Sequence, residues 1–161
     1  MACSSTLKTR LHKLRRLSPN ERRLLLRAFL LLPLIHFALL LLGYSRLRRV
    51  MEKLIPYKST DIPLSDAEIL KRARKNARIV SIAAQHGLYK ATCLRRSLLV
   101  WWFLRREGVQ GRICFGVRMC ARKLEAHAWV EYKGMVVNDS LKVHDRYTAL
   151  REVLPPTYSG L

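Results

Sequence analysis

Acidic residues are scarce: 11 Asp and Glu stand against 31 Lys and Arg in 161 residues, for a formal charge of +20. Glycine and proline are also few, at seven and six, while half of the residues are apolar. That balance excludes a collagen-like chain and the low-hydrophobicity composition that cannot offset chain entropy. A chain of this length buries about 70% of its unfolded surface, enough for one core without disulfides or metal. The four cysteines (Cys3, Cys93, Cys114, Cys120) include no Cys-x-x-Cys knuckle, so a zinc site from Cys93, Cys114, Cys120 and His127 matches no structural spacing. No small-residue cleavage site follows an early apolar stretch, so reduced cytoplasmic thiols are expected rather than a secreted disulfide framework. No metal and no cofactor are called for.

The basic surplus is not gathered in one arm, since residues 1–58 hold 13 basic and 2 acidic residues and the remainder 18 and 9. Aromatic side chains sit inside apolar runs such as Leu98 to Leu104 instead of interleaving with Lys and Arg. Nucleic acid is therefore not the expected partner. The field still favours acidic peptides and anionic lipid headgroups.

Ser18-Pro19-Asn20-Glu21 is a capping box with Pro at the first helical position, and it opens a long Leu-rich helix. Ala28 to Ser45 carries no formal charge over eighteen residues, the lower limit for crossing a bilayer. Pro33 and His36 in mid-run, and basic clusters on both flanks, argue against a span and for a helix packed on the protein or lying at a membrane surface. The Pro-interrupted stretch from Ile55 to Pro63 sets a boundary between a basic N-terminal segment, 1–56, and a core, 57–161. Ser65-Asp66-Ala67-Glu68 is a second capping box, and Ile69, Leu70, Ala73, Ala77, Val80 and Ala84 recur at helical spacing up to a stop at Gly87. Thr92 is placed to cap a third helix, apolar on every side from Leu98 to Leu104 and hence central. Ile113, Phe115, Val117 and Met119 then alternate as a half-buried strand, and two short strands, His127–Tyr132 and Met135–Asn138, flank a turn at Lys133-Gly134. The tail through Pro155-Pro156 has turn chemistry and belongs on the surface.

Three residues in that order carry chemistry. Cys93 opens the buried helix, where unpaired N–H groups and the positive dipole end favour thiolate, and Arg95 and Arg96 follow. Cys114 and Cys120 have no such field and read as packing residues; Cys3 belongs to a loose terminus. His127 starts a strand, and Asp139 follows the next one. A thiolate attacks a carbonyl, an imidazole moves the proton to the leaving amine, and a carboxylate fixes the imidazole's tautomer. A clean two-residue hairpin at Lys133-Gly134 sets Ala128 opposite Asp139 and sends His127 and Asp139 to opposite faces. The triad thus calls for a three-residue bulged turn pairing His127 with Asp139, or an equivalent irregularity before Asp139.

The stretch from Cys93-Leu-Arg-Arg-Ser to Glu107-Gly-Val, with Arg112-Ile-Cys-Phe-Gly-Val-Arg, Ala126-His127-Ala-Trp-Val-Glu and Gly134-Met-Val-Val-Asn-Asp139, resembles a known family. It is similar to the leader peptidases of lasso-peptide biosynthesis, the transglutaminase-like half of the microcin-processing B proteins, over about residues 90–145. The resemblance implies an α+β fold, a papain-like, transglutaminase-like cysteine protease core with its nucleophile helix on a small antiparallel sheet, preceded by helices. It carries the nucleophile to Cys93, the base to His127 and the third member to Asp139. It implies removal of the leader from a ribosomal precursor, which frees the core's amino terminus for an ATP-dependent lasso cyclase. The N-terminal segment lacks the strand pattern of a leader-recognition domain, so a separate recognition protein is implied beside the precursor leader peptide. The Cys93 backbone N–H is the first candidate oxyanion donor and Gln85 a weaker second. Two other readings stand beside this one. The same triad supports acyl transfer to an amine, and a non-enzymatic basic adaptor at a membrane surface, touching lipid through residues 28–45, needs no triad.

Overall fold

The computed structural model describes residues 18–55, 64–87 and 91–150. Helix α1 (Pro19–Lys53) begins where expected: the Ser18 hydroxyl accepts from the Glu21 N–H, and the Glu21 carboxylate accepts from the Ser18 N–H at 2.6 Å. Glu21 also pairs with Lys75 at 3.2 Å, which joins the start of α1 to the next helix. Pro33 sits inside the helix, and the real break is Gly43, whose φ of +71° is costly for any residue with a Cβ. Helix α2 (Asp66–His86) carries the second capping box. Its stripe of Ile69, Ala73, Ala77, Val80 and Ala84 is buried, small enough for close helix approach. Gly87 does end α2, but in an extended conformation open to any residue.

Helix α3 (Cys93–Arg106) is the centre of the molecule, with Leu98, Leu99, Val100, Trp101 and Leu104 all at 2% exposure or less. Thr92 occupies the N-cap position, but its side chain makes no capping bond, so only the backbone geometry there matches the reading. One apolar core joins α1, α2, α3 and one face of the sheet. The expected boundary near residue 56, Cys3 and the Pro155-Pro156 tail lie outside the described residues, apart from Ile55 at the edge of the break.

The sheet has the order β3-β2-β1-β4, all antiparallel, from β1 (Arg112–Cys120), β2 (Lys123–Tyr132), β3 (Met135–Val136) and β4 (Thr148–Leu150). A one-turn helix, α4 (Val143–Arg146), precedes β4. The chain is thus α+β, helices first and a small antiparallel sheet after them. β2 begins four residues earlier than its apolar pattern, because Ala121 and Arg122, both left-handed at φ +46° and +64°, close a two-residue hairpin with β1. That turn has no Gly, Asn or Asp to mark it. Its tip extends past the core, so Met119 and Leu124 are about two-thirds exposed, at 68% and 67%, and the alternation in β1 stops predicting burial there. Cys120, expected to pack, is exposed at the end of β1, while Cys114 is half-buried.

The β2–β3 turn corrects the bulged register. Tyr132 pairs with Met135 and Glu131 with Val136 across a clean two-residue loop, Lys133 and Gly134 at φ +48° and +78°. The alternative irregularity is what occurs, because β3 ends at Val136 and not at Asn138. The Val137 N–H still donates to the Val130 carbonyl, but the Val130 N–H donates to the Asn138 side-chain oxygen at 2.7 Å. A side-chain amide has replaced the next ladder carbonyl. The backbone is thereby freed to turn away before Asp139.

Candidate active site

Two of the candidate residues, His127 and Asp139, meet where β3 leaves the sheet. Ala128 directs its carbonyl to the same edge of β2 as Val130, by the alternation of an antiparallel ladder. No strand partner remains there, and the carbonyl accepts from the Ser97 hydroxyl at 2.9 Å. The Asn138 amide donates to the same hydroxyl at 2.9 Å. Ser97, wholly buried, thus bridges α3, β2 and the segment after β3. It lies four residues after Cys93, so the two share one face of α3 a turn apart. Cys93 itself is half-buried at the first position of the helix. Neither Ser97 nor Asn138 was singled out from sequence. The available signal was a lone hydroxyl on the Cys93 face of the helix, whose later positions Val100, Trp101 and Leu104 are apolar.

Beyond Asn138, the Asp139 carboxylate lies 2.6 Å from His127 Nε2, with both side chains largely enclosed at 17% and 16% exposure. The register expected for that meeting is absent, yet the meeting occurs. Asp139 reaches back from a bend after the strand rather than from a paired position. Its other oxygen accepts from the Ser140 N–H at 2.6 Å and from Arg146 at 3.1 Å. Burial pushes the Asp139 carboxyl up, but the His127 bond, the Ser140 N–H and the charges of His127 and Arg146 outweigh it and hold the group below the usual carboxylate range. An ionised Asp139 can only accept, so Nε2 carries a proton and, in the neutral ring, Nδ1 is left as the basic nitrogen.

His127 shares its sheet face with Trp129 and Glu131, by the two-residue period of β2. Its ring stacks on Tyr147 at 4.8 Å and 20° and lies nearly parallel to Trp129 at 6.2 Å. Trp129, Val136 and Val143 form a second small core here, packed with Cys114 and Tyr147. Gly116, opposite His127 in the register, leaves room for this stack, since a Cβ there would meet Trp129 and Tyr147 at 2.9 Å. Under it sits Glu131, a buried carboxylate bonded by the Trp129 indole at 2.7 Å and by Arg112 at 3.1 Å. Burial alone would raise its pKa, and those donors bring it below the ordinary value. Cys114 beside it has the opposite balance: burial first, then the Glu131 charge, pushes its thiol up to about 12. Cys114 packs against the small core of Trp129, Val136 and Val143, and its raised pKa disfavours the thiolate. Gln85 is exposed in the last turn of α2. Among the described residues no group of three or more His, Cys, Asp or Glu could hold a metal ion.

Comparison with known proteins adds the lineage. The family model described as the transglutaminase-like superfamily matches residues 31–152, from within α1 through β4. The chain is also 28% identical over 80 residues to the microcin J25-processing protein McjB of Escherichia coli. That stretch is half of this chain and 38% of the relative, so the matched part spans well under half of the curated protein. No solved structure matches significantly. The family match covers about three-quarters of the residues and includes Cys93, His127 and Asp139. The chain belongs to the transglutaminase-like superfamily, and its resemblance is to the microcin-processing members of it.

Proposed function

We propose that the chain is a cysteine endopeptidase that removes the leader from a ribosomally made lasso-peptide precursor, with Cys93 as nucleophile, His127 as base and Asp139 as its orienting carboxylate. The observation that carries this reading is the 2.6 Å His127–Asp139 pair, formed where Ser97 ties the Cys93 helix to the residue after His127. In this proposal α3 is the papain-like nucleophile helix, and the thiol and the ring meet across the edge of β2 vacated by β3. The basic segment 1–56 is read as an accessory to a core at 57–161.

The steps follow from the groups present. His127 Nδ1 takes the thiol proton, and the Cys93 sulfur attacks the carbonyl carbon of the scissile amide. The Cys93 N–H, which has no intrahelical acceptor at the helix start, stabilises the resulting oxyanion, with Gln85 as a weaker second donor. The amine leaves with the proton from the imidazolium, so the core peptide gains a free amino terminus and the leader is held as a thioester. Water, losing a proton to Nδ1, attacks the thioester carbonyl; the C–S bond breaks, the imidazolium returns its proton to the Cys93 sulfur, and the leader departs as a carboxylate with its remaining proton released to solvent. Asp139 stays ionised throughout, holding the ring and balancing its positive charge.

The relative's printed name is that of a microcin-processing protein, and this supports a peptide precursor as the substrate. The partners proposed are the leader peptide, a separate protein that presents it, and an ATP-dependent cyclase that uses the freed amine. The test is mass spectrometry of a genome-neighbouring precursor incubated with the chain and its presenting partner. Wild type should yield leader and core whose masses sum to the precursor plus water, while Cys93→Ala yields neither and His127→Ala nearly neither. A product joined to an added amine would assign acyl transfer instead, and unchanged cleavage by Cys93→Ala would overturn the triad.

A further inference from the structure

Helix α1 has two apolar faces, and among the described residues only one is packed into the core. Leu25, Ala28, Leu32 and Ile35 are buried against the core. On the other side Leu26, Leu30, Leu34, Phe37 and Leu41, spaced by three and four residues, form a continuous stripe whose members are 50 to 81% exposed. At 1.5 Å per residue the stripe runs about 20 to 25 Å along the helix. Isolated exposed leucines are ordinary, but a row of this length on a single helix face marks a surface made to be covered.

The charge around the stripe selects the occupant. Arg23 and Arg27 are exposed in the turns that lead into it, and Arg46 is exposed after Gly43 has bent the chain at its far end. No Asp or Glu lies between Glu21 and Glu52. The centre of a protein interface is depleted in charge but needs none at its ends, whereas long basic side chains flanking a Leu-rich face reach up to headgroups while the leucines enter the acyl layer. A full span is unsuited to this helix even though its most apolar 18-residue window has a mean hydropathy of 2.4. Its inner face is part of one core with α2, which exposes Lys71, Arg72, Lys75 and Arg78, and these would be drawn into hydrocarbon.

We infer that α1 lies in the plane of an anionic membrane leaflet, with the Leu26–Leu41 stripe inserted into one monolayer and the flanking arginines on lipid phosphates, docking the domain peripherally. The inference is independent of the peptidase reading, because none of these side chains belongs to the candidate site.

The experiment is cosedimentation of the full chain with vesicles of mixed phosphatidylglycerol and phosphatidylcholine, and of phosphatidylcholine alone, at physiological ionic strength. The variant is Leu30→Gln/Leu34→Gln/Leu41→Gln, which keeps the net charge and alters only outward-facing residues. Wild type should bind the anionic vesicles selectively, and the variant should bind them at least about tenfold more weakly. Equal binding by the variant would reduce the effect to the charge of a +20 protein and overturn the insertion. No uptake of wild type by anionic vesicles would also overturn it. So would a wild-type dimer, seen by light scattering, that the variant dissolves while vesicle binding is unaffected, since the stripe would then belong to a second copy. If the triple variant melts earlier than wild type, Leu41→Gln alone, at the most exposed member of the stripe, repeats the comparison with a smaller expected loss.

Discussion

Removing the Ser97 hydroxyl tests whether the tether between α3 and β2 organises this molecule. Ser97→Ala leaves a side chain of nearly the same volume in a wholly buried position, so the change is confined to hydrogen bonds. The Ala128 carbonyl, on a residue only 4% exposed, loses its donor, and the Asn138 amide loses its acceptor. Leaving such groups unsatisfied costs about 1–3 kcal/mol, and about 2 kcal/mol is expected. Asn138→Ala leaves the N–H of fully buried Val130 without a partner and should cost a similar amount. The double variant no longer contains the orphaned Asn138 amide, so its loss should fall short of the sum of the singles by about 1 kcal/mol. Denaturant midpoints measure the cycle, and by calorimetry each single variant should melt roughly 4–8 °C below wild type at this chain length. Wild-type stability in Ser97→Ala, or singles that add to within about 0.5 kcal/mol, would refute the reasoning.

Three further outcomes are expected. Asp139 has a folded-state pKa below its ordinary 3.8, so its stabilising contribution is full above that value and disappears as pH falls through the lower folded value. The stability difference between wild type and Asp139→Asn, followed by pH-dependent unfolding, should therefore shrink in acid, while precursor cleavage by the variant is reduced but not abolished. Gly116→Ala places a methyl group 2.9 Å from Trp129 and Tyr147, and should destabilise by about 1–3 kcal/mol and change the near-ultraviolet dichroism of Trp129. Cys114, with its thiol pushed up to about 12, should be the slowest of the cysteines Cys93, Cys114 and Cys120 to alkylate at pH 8 in the folded chain, and the order should collapse on unfolding.

Much of this architecture is written locally. Both capping boxes and the small-residue stripe of α2 depend on neighbours three or four residues away, and each forms as its spacing indicates. The change from helical to strand period at Gly111 is equally local, and it places the sheet after the helices. The readings that failed depended on more than spacing. Ala121-Arg122 adopts a left-handed turn without the residues that favour one, because the pairing of β1 with β2 over nine positions holds it there. Thr92 occupies a capping position without making the capping bond. Met119 keeps the alternation of β1 but lies where the hairpin has run past the core.

The same division runs through the candidate site. Residue type and order alone single out Cys93, His127 and Asp139, since a helix start, a strand and a carboxylate beyond the next strand are all legible along the chain. How His127 and Asp139 meet is not. Counting residues through the turn gives a register that separates them, and the structure adopts that register at Tyr132–Met135 and Glu131–Val136. The pair forms because Asn138 takes over a ladder hydrogen bond with its side chain and anchors to Ser97, a residue 41 positions away on another element. Sequence periodicity records which face a residue prefers. Where a strand leaves its sheet is decided by buried polar groups from distant segments that must all be satisfied together, and only the assembled tertiary structure brings them into contact.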